Sequence, residues 1–266
     1  MITKFLEYQR INKGLSEQTI EGYQKELLVF IHFGQKRNLR WSTITKEDID
    51  NFVSDEVSRG MKPRTIKRRV ECVRLLYTWA CHEGILNYNP AQYTQTPKIS
   101  MELPKAADMD RLRNYVNSEA TSRESFIVHI ICSLIMETGM RIGEITAMRG
   151  EDIDTKNNCI RIKGKGGKER IVYYGNLSAK YAKIMAIRKG QIFEETPKTY
   201  RYMMYAELPG VHPHAIRHAF ACDQLNKGMD LKTLSTLMGH KHTTTTEIYA
   251  QMTNSRTRAI YNQINS

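Results

Sequence analysis

The spacing of apolar residues constrains the fold of this chain more than any other feature of its sequence. Over much of the 266 residues, apolar side chains recur every three or four positions, the period of a helix that packs on one face. One stretch, CIRIKGKGGKERIVYY, alternates instead and predicts two short strands, 159–163 and 169–174, around a Gly-Lys-Gly-Gly turn. We therefore expect a mainly α protein with a small antiparallel β-sheet, an α+β fold.

Residues that favour helix starts stand in front of several apolar stripes. Ser16 can cap one helix, and Thr45 with Asp48 resembles a capping box for the next. Pro213 and Asp230 open two further helices in the second half of the chain. Helical structure is thus expected in both halves.

A segment without periodicity separates those halves. The sequence AQYTQTPKISMELPKAAD carries two prolines and no regular apolar spacing, which is typical of an exposed linker. We predict one domain over residues 1–97, a linker over 98–105 and a second domain over 106–266.

No segment predicts a membrane span. The longest apolar run, residues 126–136, is interrupted by His129 and is too short to cross a bilayer, so we expect a buried helix there. The five cysteines are odd in number and far apart, without a CxxC pair or a disulfide framework. Reduced thiols fit best, and we expect a cytoplasmic protein with no membrane partner.

The positive charge of the chain favours a polyanionic partner. The net charge is +12, and both predicted domains share it: residues 1–97 carry 15 basic and 11 acidic side chains, and residues 98–266 carry 25 and 17. Four cations that lie roughly opposite an apolar helix stripe suit a phosphate backbone: Arg64, Lys67, Arg68 and Arg74. An ordinary solvated helix face on a basic protein is the alternative.

Neither a metal nor a nucleotide is predicted. Several histidines cluster in the sequence, but cations lie among them and no cysteine pair is near, an arrangement that repels Zn²⁺: His212, His214, His218, His240 and His242. Asp152 and Asp154 look like a turn before the first strand, which leaves no acidic cluster for a two-metal nuclease. The Gly-Lys-Gly-Gly stretch lacks the second half of a P-loop and joins two strands, so ATP is not implied.

The remaining candidates suggest chemistry on a phosphodiester. Arg217 and His218 follow His214 by three and four positions, so the three side chains share a helix face. The planar fork of an arginine binds two phosphate oxygens at once, so Arg217 and Arg141 could clamp both non-bridging oxygens. A tyrosine, with a reference pKa of about 10, becomes a nucleophile when cations and a histidine base ease loss of its proton. A lysine on a turn can protonate the departing sugar oxygen.

Four motifs carry these residues in one order. They are TGMRIGEI around Arg141, IKGKGGKERIV around Lys165, HPHAIRHAFA around His214 and Arg217, and LMGHKHTTTTEIYA around His240 and Tyr249. The motifs closely resemble those of the tyrosine recombinases, the phage-integrase and Xer-type site-specific recombinases. The resemblance covers the whole chain and implies a helical, SAM-like core-binding domain followed by a catalytic domain whose hairpin carries the lysine.

Position by position, the resemblance implies a role for each of these residues. Arg141 and Arg217 would hold the scissile phosphate, Tyr249 would attack it and Lys165 would act as general acid. His214 would assist as base and His240 would hydrogen-bond the phosphate. Glu144 and His218 would be supporting residues that orient the others.

The resemblance also implies a substrate and an assembly. The protein would cut and rejoin double-stranded DNA at a specific inverted-repeat site through a covalent 3′-phosphotyrosine and a Holliday junction, without ATP, metal or another cofactor. Four protomers would act on two sites, linked by exchange of the C-terminal tail, residues 252–266. Accessory DNA-bending proteins, a mobile element and a nucleoid-associated place in the cytoplasm fit this activity.

Two other classes stay open. A non-catalytic DNA-binding protein would need the basic helix, but it has no use for Tyr249, Lys165 and two convergent arginines together. A type IB topoisomerase shares the chemistry and the fold, but it relaxes DNA alone, without a specific site. Supercoil relaxation measured beside two-site recombination separates these classes.

Overall fold

The fold is mainly helical with one small antiparallel sheet, which confirms the predicted fold class. The computed structural model describes residues 1–99, 106–164 and 169–239. Its contacts divide the chain into two units, Met1–Met101 and Glu102–Ser266. None of the described helices combines the length and the apolar character that a membrane span requires.

The first unit is a helical bundle around an aromatic-rich core. Its helices are α1 (Ile2–Ile11), α2 (Glu17–Lys36), α3 (Lys46–Ser58) and α4 (Pro63–His82). The core centres on fully or almost fully buried side chains of all four: Phe5, Leu27, Phe30, Phe52, Leu76 and Tyr77. Packing of this shared apolar face, more than helix propensity, holds such helices in place.

The predicted helix starts differ in how they are made. Thr45 forms the capping box: its side chain accepts from the Asp48 backbone N–H at 3.2 Å, and the Asp48 carboxylate accepts from the Thr45 N–H at 2.9 Å. Ser16 does precede α2, but its hydroxyl lies 3.0 Å from the Thr19 hydroxyl and makes no capping bond. Helix α1 has no start signal of this kind and is held by Phe5 in the core.

The second unit combines seven helices and three strands among its described residues. They are α5 (Met109–Asn117), α6 (Arg123–Thr138), α7 (Ile142–Thr146), β1 (Ile153–Asp154), β2 (Cys159–Lys163), β3 (Glu169–Tyr173), α8 (Asn176–Ile187), α9 (Pro197–Glu207), α10 (Pro213–Asn226) and α11 (Leu231–Met238). The starts predicted at Pro213 and Asp230 are both present, and the Asp230 carboxylate accepts from the backbone N–H groups of Lys232 and Thr233.

Helix α6 is the centre of the second unit. It contacts α5, α7, α8, α9, α10 and β3. Most of its side chains are buried, on every side of the helix, as expected for a helix that is apolar all round. The apolar run 126–136 is therefore a buried helix, as predicted.

The sheet has strand order β1-β2-β3 and is antiparallel throughout. Strands β2 and β3 match the predicted pair, with Arg161 opposite Ile171 at the middle of the ladder. The prediction of a plain turn before the first strand is wrong for Asp154. A single 3₁₀ turn ends at Asp152, but Asp154 lies in β1 and pairs with Cys159. Strand β1 has two residues, which are too few to show an alternating pattern.

A glycine ends α6 where α10 crosses closely. Gly139 has φ of +63°, a conformation that side chains disfavour, and its N–H donates to the Ile135 carbonyl at 2.9 Å. A Cβ at this position would lie 2.5 Å from the ring of Phe220 on α10. The turn that leads from α6 to Arg141 therefore requires glycine for two independent reasons.

We expect Gly139→Ala to lower the free energy of unfolding by about 2 kcal/mol or more, because it adds both backbone strain and a clash with Phe220. Urea unfolding followed by circular dichroism measures this. The matched control is Gly143→Ala on α7, where a Cβ would have no neighbour within 4 Å. Equal unfolding midpoints for the two variants would contradict the proposed constraint.

Candidate active site

The C-terminal end of α11 is where the two predicted arginines meet. The last carbonyls of a helix have no partner within it and carry the negative end of the helix dipole. Here the helix ends at Met238 and is capped by Gly239, which has φ of +62°. The carbonyls of Leu237, Met238 and Gly239 all accept hydrogen bonds from arginines.

Arg217 and Arg141 share one of these carbonyls. Arg217, on α10, is only 3% exposed, and it donates through Nη2 to the Met238 carbonyl at 2.6 Å and through Nη1 to the Gly139 carbonyl. Arg141 donates through Nη1 to the Met238 carbonyl at 3.2 Å and through Nη2 to the Gly239 carbonyl at 3.3 Å. Two guanidinium groups from distant parts of the sequence thus converge on one point, as a phosphate clamp requires.

Glu144 orients Arg141 from one turn away. Arg141 immediately precedes α7, and the Glu144 carboxylate accepts from its backbone N–H at 2.8 Å and from its Nη1 at 3.0 Å. The carboxylate is mostly buried, whereas the Arg141 side chain is 37% exposed. Arg141 is therefore held at its backbone N–H and at its guanidinium, while part of its side chain remains exposed.

Arg170 is a member of this cluster that the motif analysis missed. It lies on β3 and forms a two-bond fork with Glu144, at 2.9 and 2.8 Å, while its Nε donates to the Leu237 carbonyl at 2.8 Å. One signal could have found it. In the alternating strand ERIVY, Arg170 falls on the same side as buried Val172, and an arginine on the inner side of a strand needs partners.

The charges around Glu144 settle its protonation. Burial on its own would raise the pKa of this carboxyl, but hydrogen bonds from Arg170 and from the Arg141 N–H, together with the two guanidinium charges, bring the pKa below its ordinary value. Glu144 is therefore ionised at neutral pH and stays paired with both arginines.

The two histidines of α10 are biased toward the neutral form. Desolvation lowers the pKa of His214, and the charges of Arg217, Arg141 and Arg201 lower it further. His218 has a lowered pKa as well, first through desolvation and then through His214 and Arg217. A neutral imidazole can accept a proton, as a general base must. Among the described residues, no group of three or more His, Cys, Asp or Glu side chains could hold a metal ion.

Three predicted site residues lie outside the described residues. Lys165 falls between β2 and β3, and His240 and Tyr249 follow Gly239 in the sequence. Their predicted roles stay predictions. What the structure brings together is Arg141, Glu144, Arg217 and the helix carrying His214 and His218.

Three of the four predicted DNA-binding cations lie on an exposed face of α4. Arg64, Lys67 and Arg68 are all exposed. Arg68 also pairs with Glu26, a buried carboxylate on α2. This ion pair holds the Arg68 side chain in position but leaves its charge on the surface.

Arg74 differs from that expectation. Its side chain is 25% exposed, and its guanidinium donates to the carbonyls of Ala91 at 2.9 Å and Thr94 at 3.0 Å and pairs with Glu71. Arg74 follows buried Val70 by four positions, so helical spacing places it beside the apolar stripe and not opposite it. From there its long side chain reaches the turn around residues 91–94. Arg74 holds this turn and does not stand out as a free surface cation.

Two family models match the chain in sequence order. The model described as "Phage integrase, N-terminal SAM-like domain" matches residues 2–84. The model described as "Phage integrase family" matches residues 105–200 and 188–256. Together they cover well over half of the chain.

Known relatives align over almost the whole chain. Tyrosine recombinase XerC of Thermodesulfovibrio yellowstonii is 30% identical over 94% of this chain and 91% of its own length. Tyrosine recombinase XerD of Listeria innocua is 27% identical over 99% of this chain and 97% of its own length.

Solved structures share the fold. The Tn1549 transposon integrase in complex with transposon right end DNA superposes with a TM-score of 0.77 at 14% identity, covering 100% of this chain and 99% of that one. The XerH site-specific recombinase bound to palindromic difH substrate superposes with a TM-score of 0.74 at 19% identity, covering 100% of this chain and 84% of that one. On the strength of the family models and of the sequence relatives, the chain belongs to the phage integrase family of tyrosine recombinases.

Proposed function

We propose that the protein is a site-specific tyrosine recombinase that cuts and rejoins double-stranded DNA. The observation that carries the proposal is the convergence of Arg141 and Arg217 on the end of α11, directly before His240 in the sequence. This arrangement presents two planar forks to one point, and a phosphodiester has two non-bridging oxygens for them to bind.

In the proposed reaction, the Tyr249 hydroxyl oxygen attacks the scissile phosphorus. The bond from phosphorus to the 5′ oxygen breaks, a 3′-phosphotyrosine forms, and Lys165 gives its proton to the departing 5′ oxygen. The 5′ hydroxyl of a partner strand then attacks the phosphotyrosine, restores the diester and releases Tyr249, which leads through a Holliday junction. The bond energy is conserved in the phosphotyrosine, so the reaction requires neither ATP nor a metal.

The geometry supports a division of labour among the described residues. Arg141 and Arg217 stabilise the negative charge that builds up on the phosphate oxygens in the transition state. The ionised oxygens of a phosphate accept stronger hydrogen bonds than the Met238 carbonyl that both arginines now share. Neutral His214 accepts the tyrosine proton. Glu144 orients Arg141 in this scheme, and His218 supports His214 on the same helix face.

The proposed domains follow the two contact units. Residues 1–97 form a core-binding domain, 98–105 a linker and 106–266 the catalytic domain with the C-terminal tail. The match of the SAM-like model to residues 2–84 supports the first of these assignments. The exposed face of α4, with Arg64, Lys67 and Arg68, contacts the DNA backbone in this proposal, whereas Arg74 serves the fold.

The proposed substrate is double-stranded DNA with an inverted-repeat site. In the proposed complex, four protomers bind two such sites. Relatives of the same fold were solved with palindromic substrate and with transposon end DNA, which supports a symmetric site and a mobile-element setting. A nucleoid-associated place in the cytoplasm and help from DNA-bending proteins complete the proposal.

Tyr249→Phe should abolish covalent attachment to DNA and leave DNA binding almost unchanged, because it removes one oxygen and no charge. A denaturing gel with a nicked suicide substrate measures the adduct, and a gel shift measures binding. An adduct at wild-type yield would rule out Tyr249 as nucleophile. Relaxation of a plasmid that lacks any recombination site would instead indicate a topoisomerase.

Neutralising Arg64, Lys67 and Arg68 together should weaken DNA binding and flatten its salt dependence. The slope of log K against log salt becomes shallower by about 0.9 for each phosphate that the protein no longer neutralises. Fluorescence anisotropy across a salt series gives this slope.

The matched control removes an equal charge elsewhere on the same unit. The control replaces three of the exposed lysines of this unit, one on α1, one after α1 and one at the start of α3: Lys4, Lys13 and Lys46. Their replacement by glutamine should leave the slope unchanged. Equal slopes for the two triple variants would mean that the α4 face is ordinary solvated surface.

Deleting residues 256–266 should leave half-site binding intact and abolish the complex of four protomers on two sites. The tail carries apolar Ile260, Tyr261 and Ile264 at helical spacing, a stripe too short to be stable alone. Analytical ultracentrifugation with two-site DNA measures the assembly. A truncated protein that still assembled and recombined would exclude tail exchange.

A further inference from the structure

The side chain of Arg170 is engaged at all three of its nitrogens and is only 13% exposed. Nη1 and Nη2 bind the two oxygens of Glu144, and Nε binds the Leu237 carbonyl. It is therefore not placed as a surface cation for DNA, and the role implied for the Lys165 motif does not account for it.

These bonds connect three segments that are distant in sequence. Arg170 is on β3, at the base of the hairpin that contains Lys165; Glu144 is on α7; and Leu237 is in the last turn of α11, three residues before His240. Each segment contributes one residue of the proposed reaction. The guanidinium of Arg170 thus fixes β3, α7 and the end of α11 relative to one another.

Arg170 also supports Arg141 through a shared carboxylate. Glu144 Oε1 accepts from Nη1 of both arginines, at 3.0 Å for Arg141 and 2.9 Å for Arg170. Oε2 accepts from the Arg141 N–H and from Arg170 Nη2, each at 2.8 Å. The carboxylate cannot rotate toward either partner without losing bonds to the other.

The charge balance of the cluster gives Arg170 a second effect. A lone Glu144 would offset the charge of Arg141, the residue proposed to hold the phosphate. With Arg170 paired to the same carboxylate, Arg141, Arg170, Arg217 and Glu144 together keep two positive charges. A phosphodiester monoanion gains further negative charge in the transition state, and the two net positive charges of the cluster balance that charge.

The residue before His240 is packed directly on this arginine. A Cβ at Gly239 would lie 2.9 Å from Arg170 Nη1, and the φ of +62° also requires glycine there. The close approach is an independent sign that the end of α11 is built around Arg170.

We propose that Arg170 is a positioning residue for strand cleavage: by clamping Glu144 and the Leu237 carbonyl, it aligns Arg141, the Lys165 hairpin and the chain entering His240 on one phosphate. The proposal rests on the proposed function. Arg170 touches no reacting atom in this scheme and acts through the groups that it holds.

The test compares Arg170→Lys with Arg161→Lys in the full-length protein. Lysine keeps the charge but cannot bind both Glu144 oxygens and Leu237 at once. Arg161 is on neighbouring β2, is 53% exposed and lies 3.8 Å from the Asp152 carboxylate. We expect Arg170→Lys to slow formation of the covalent adduct by about 100-fold, the scale of a small misplacement of reacting groups. Half-site affinity should stay within about twofold of wild type, and Arg161→Lys should match wild type in both measurements.

A second substrate separates positioning from a loss of folded protein. A methylphosphonate carries a methyl group in place of one non-bridging oxygen and is neutral, so its cleavage depends less on the arginine clamp. Arg170→Lys should therefore be impaired much less on methylphosphonate DNA than on ordinary DNA. A variant that is merely unstable would lose the same factor on both substrates, and that result would overturn the proposal.

A double variant guards against failure of the single one to fold. Arg170→Gln with Glu144→Gln removes both charges of the pair, and its cleavage rate should be no lower than that of the worse single variant, because the two residues act as one unit. Fully additive losses would contradict the coupling. A wild-type rate for Arg170→Lys would overturn this inference and leave the proposed function standing, whereas absence of any Tyr249 adduct from the wild type would overturn both.

Discussion

The candidate site depends on the carbonyl groups at the end of α11 that have no partner within the helix. Leu237, Met238 and Gly239 present the negative end of a helix, and Arg170, Arg217 and Arg141 bind them in turn. Guanidinium groups so close together would repel one another without such acceptors. The carbonyls and Glu144 let positive charge be assembled in a fixed place before any anion arrives.

The two units solve the burial of charge in opposite ways. In the first unit, one arginine of α4, Arg69, pairs with two buried carboxylates, Glu26 on α2 and Glu56 on α3. In the second, one carboxylate, Glu144, serves two arginines. The first arrangement ties helices together and keeps its charges largely matched. The second leaves an excess of positive charge, which is useful for binding an anion and costly for stability alone.

Much of the fold could be predicted because its signals are local. Helix caps such as that of Thr45, the alternation of the two hairpin strands and the spacing of His214 and Arg217 all act over a few residues. Strand β1 was not predicted because two residues cannot show an alternating pattern. The role of Arg170 was not predicted because its partners, Glu144 and Leu237, lie 26 and 67 residues away in the sequence. The prediction for Arg74 was wrong because this residue lies beside the apolar stripe, four positions after buried Val70, and its long side chain reaches carbonyls that periodicity does not show.

Helix α6 has a consequence for the dynamics of the site. Because it is surrounded by other elements on nearly every side, we expect its amide hydrogens to exchange with solvent more slowly than those of the rest of the unit. The turn at Gly139 that leads to Arg141 starts from this helix, and Arg217 is bonded to the Gly139 carbonyl. Both arginines are therefore anchored to the part of the unit that we expect to open last, which keeps the two guanidinium groups in register with each other.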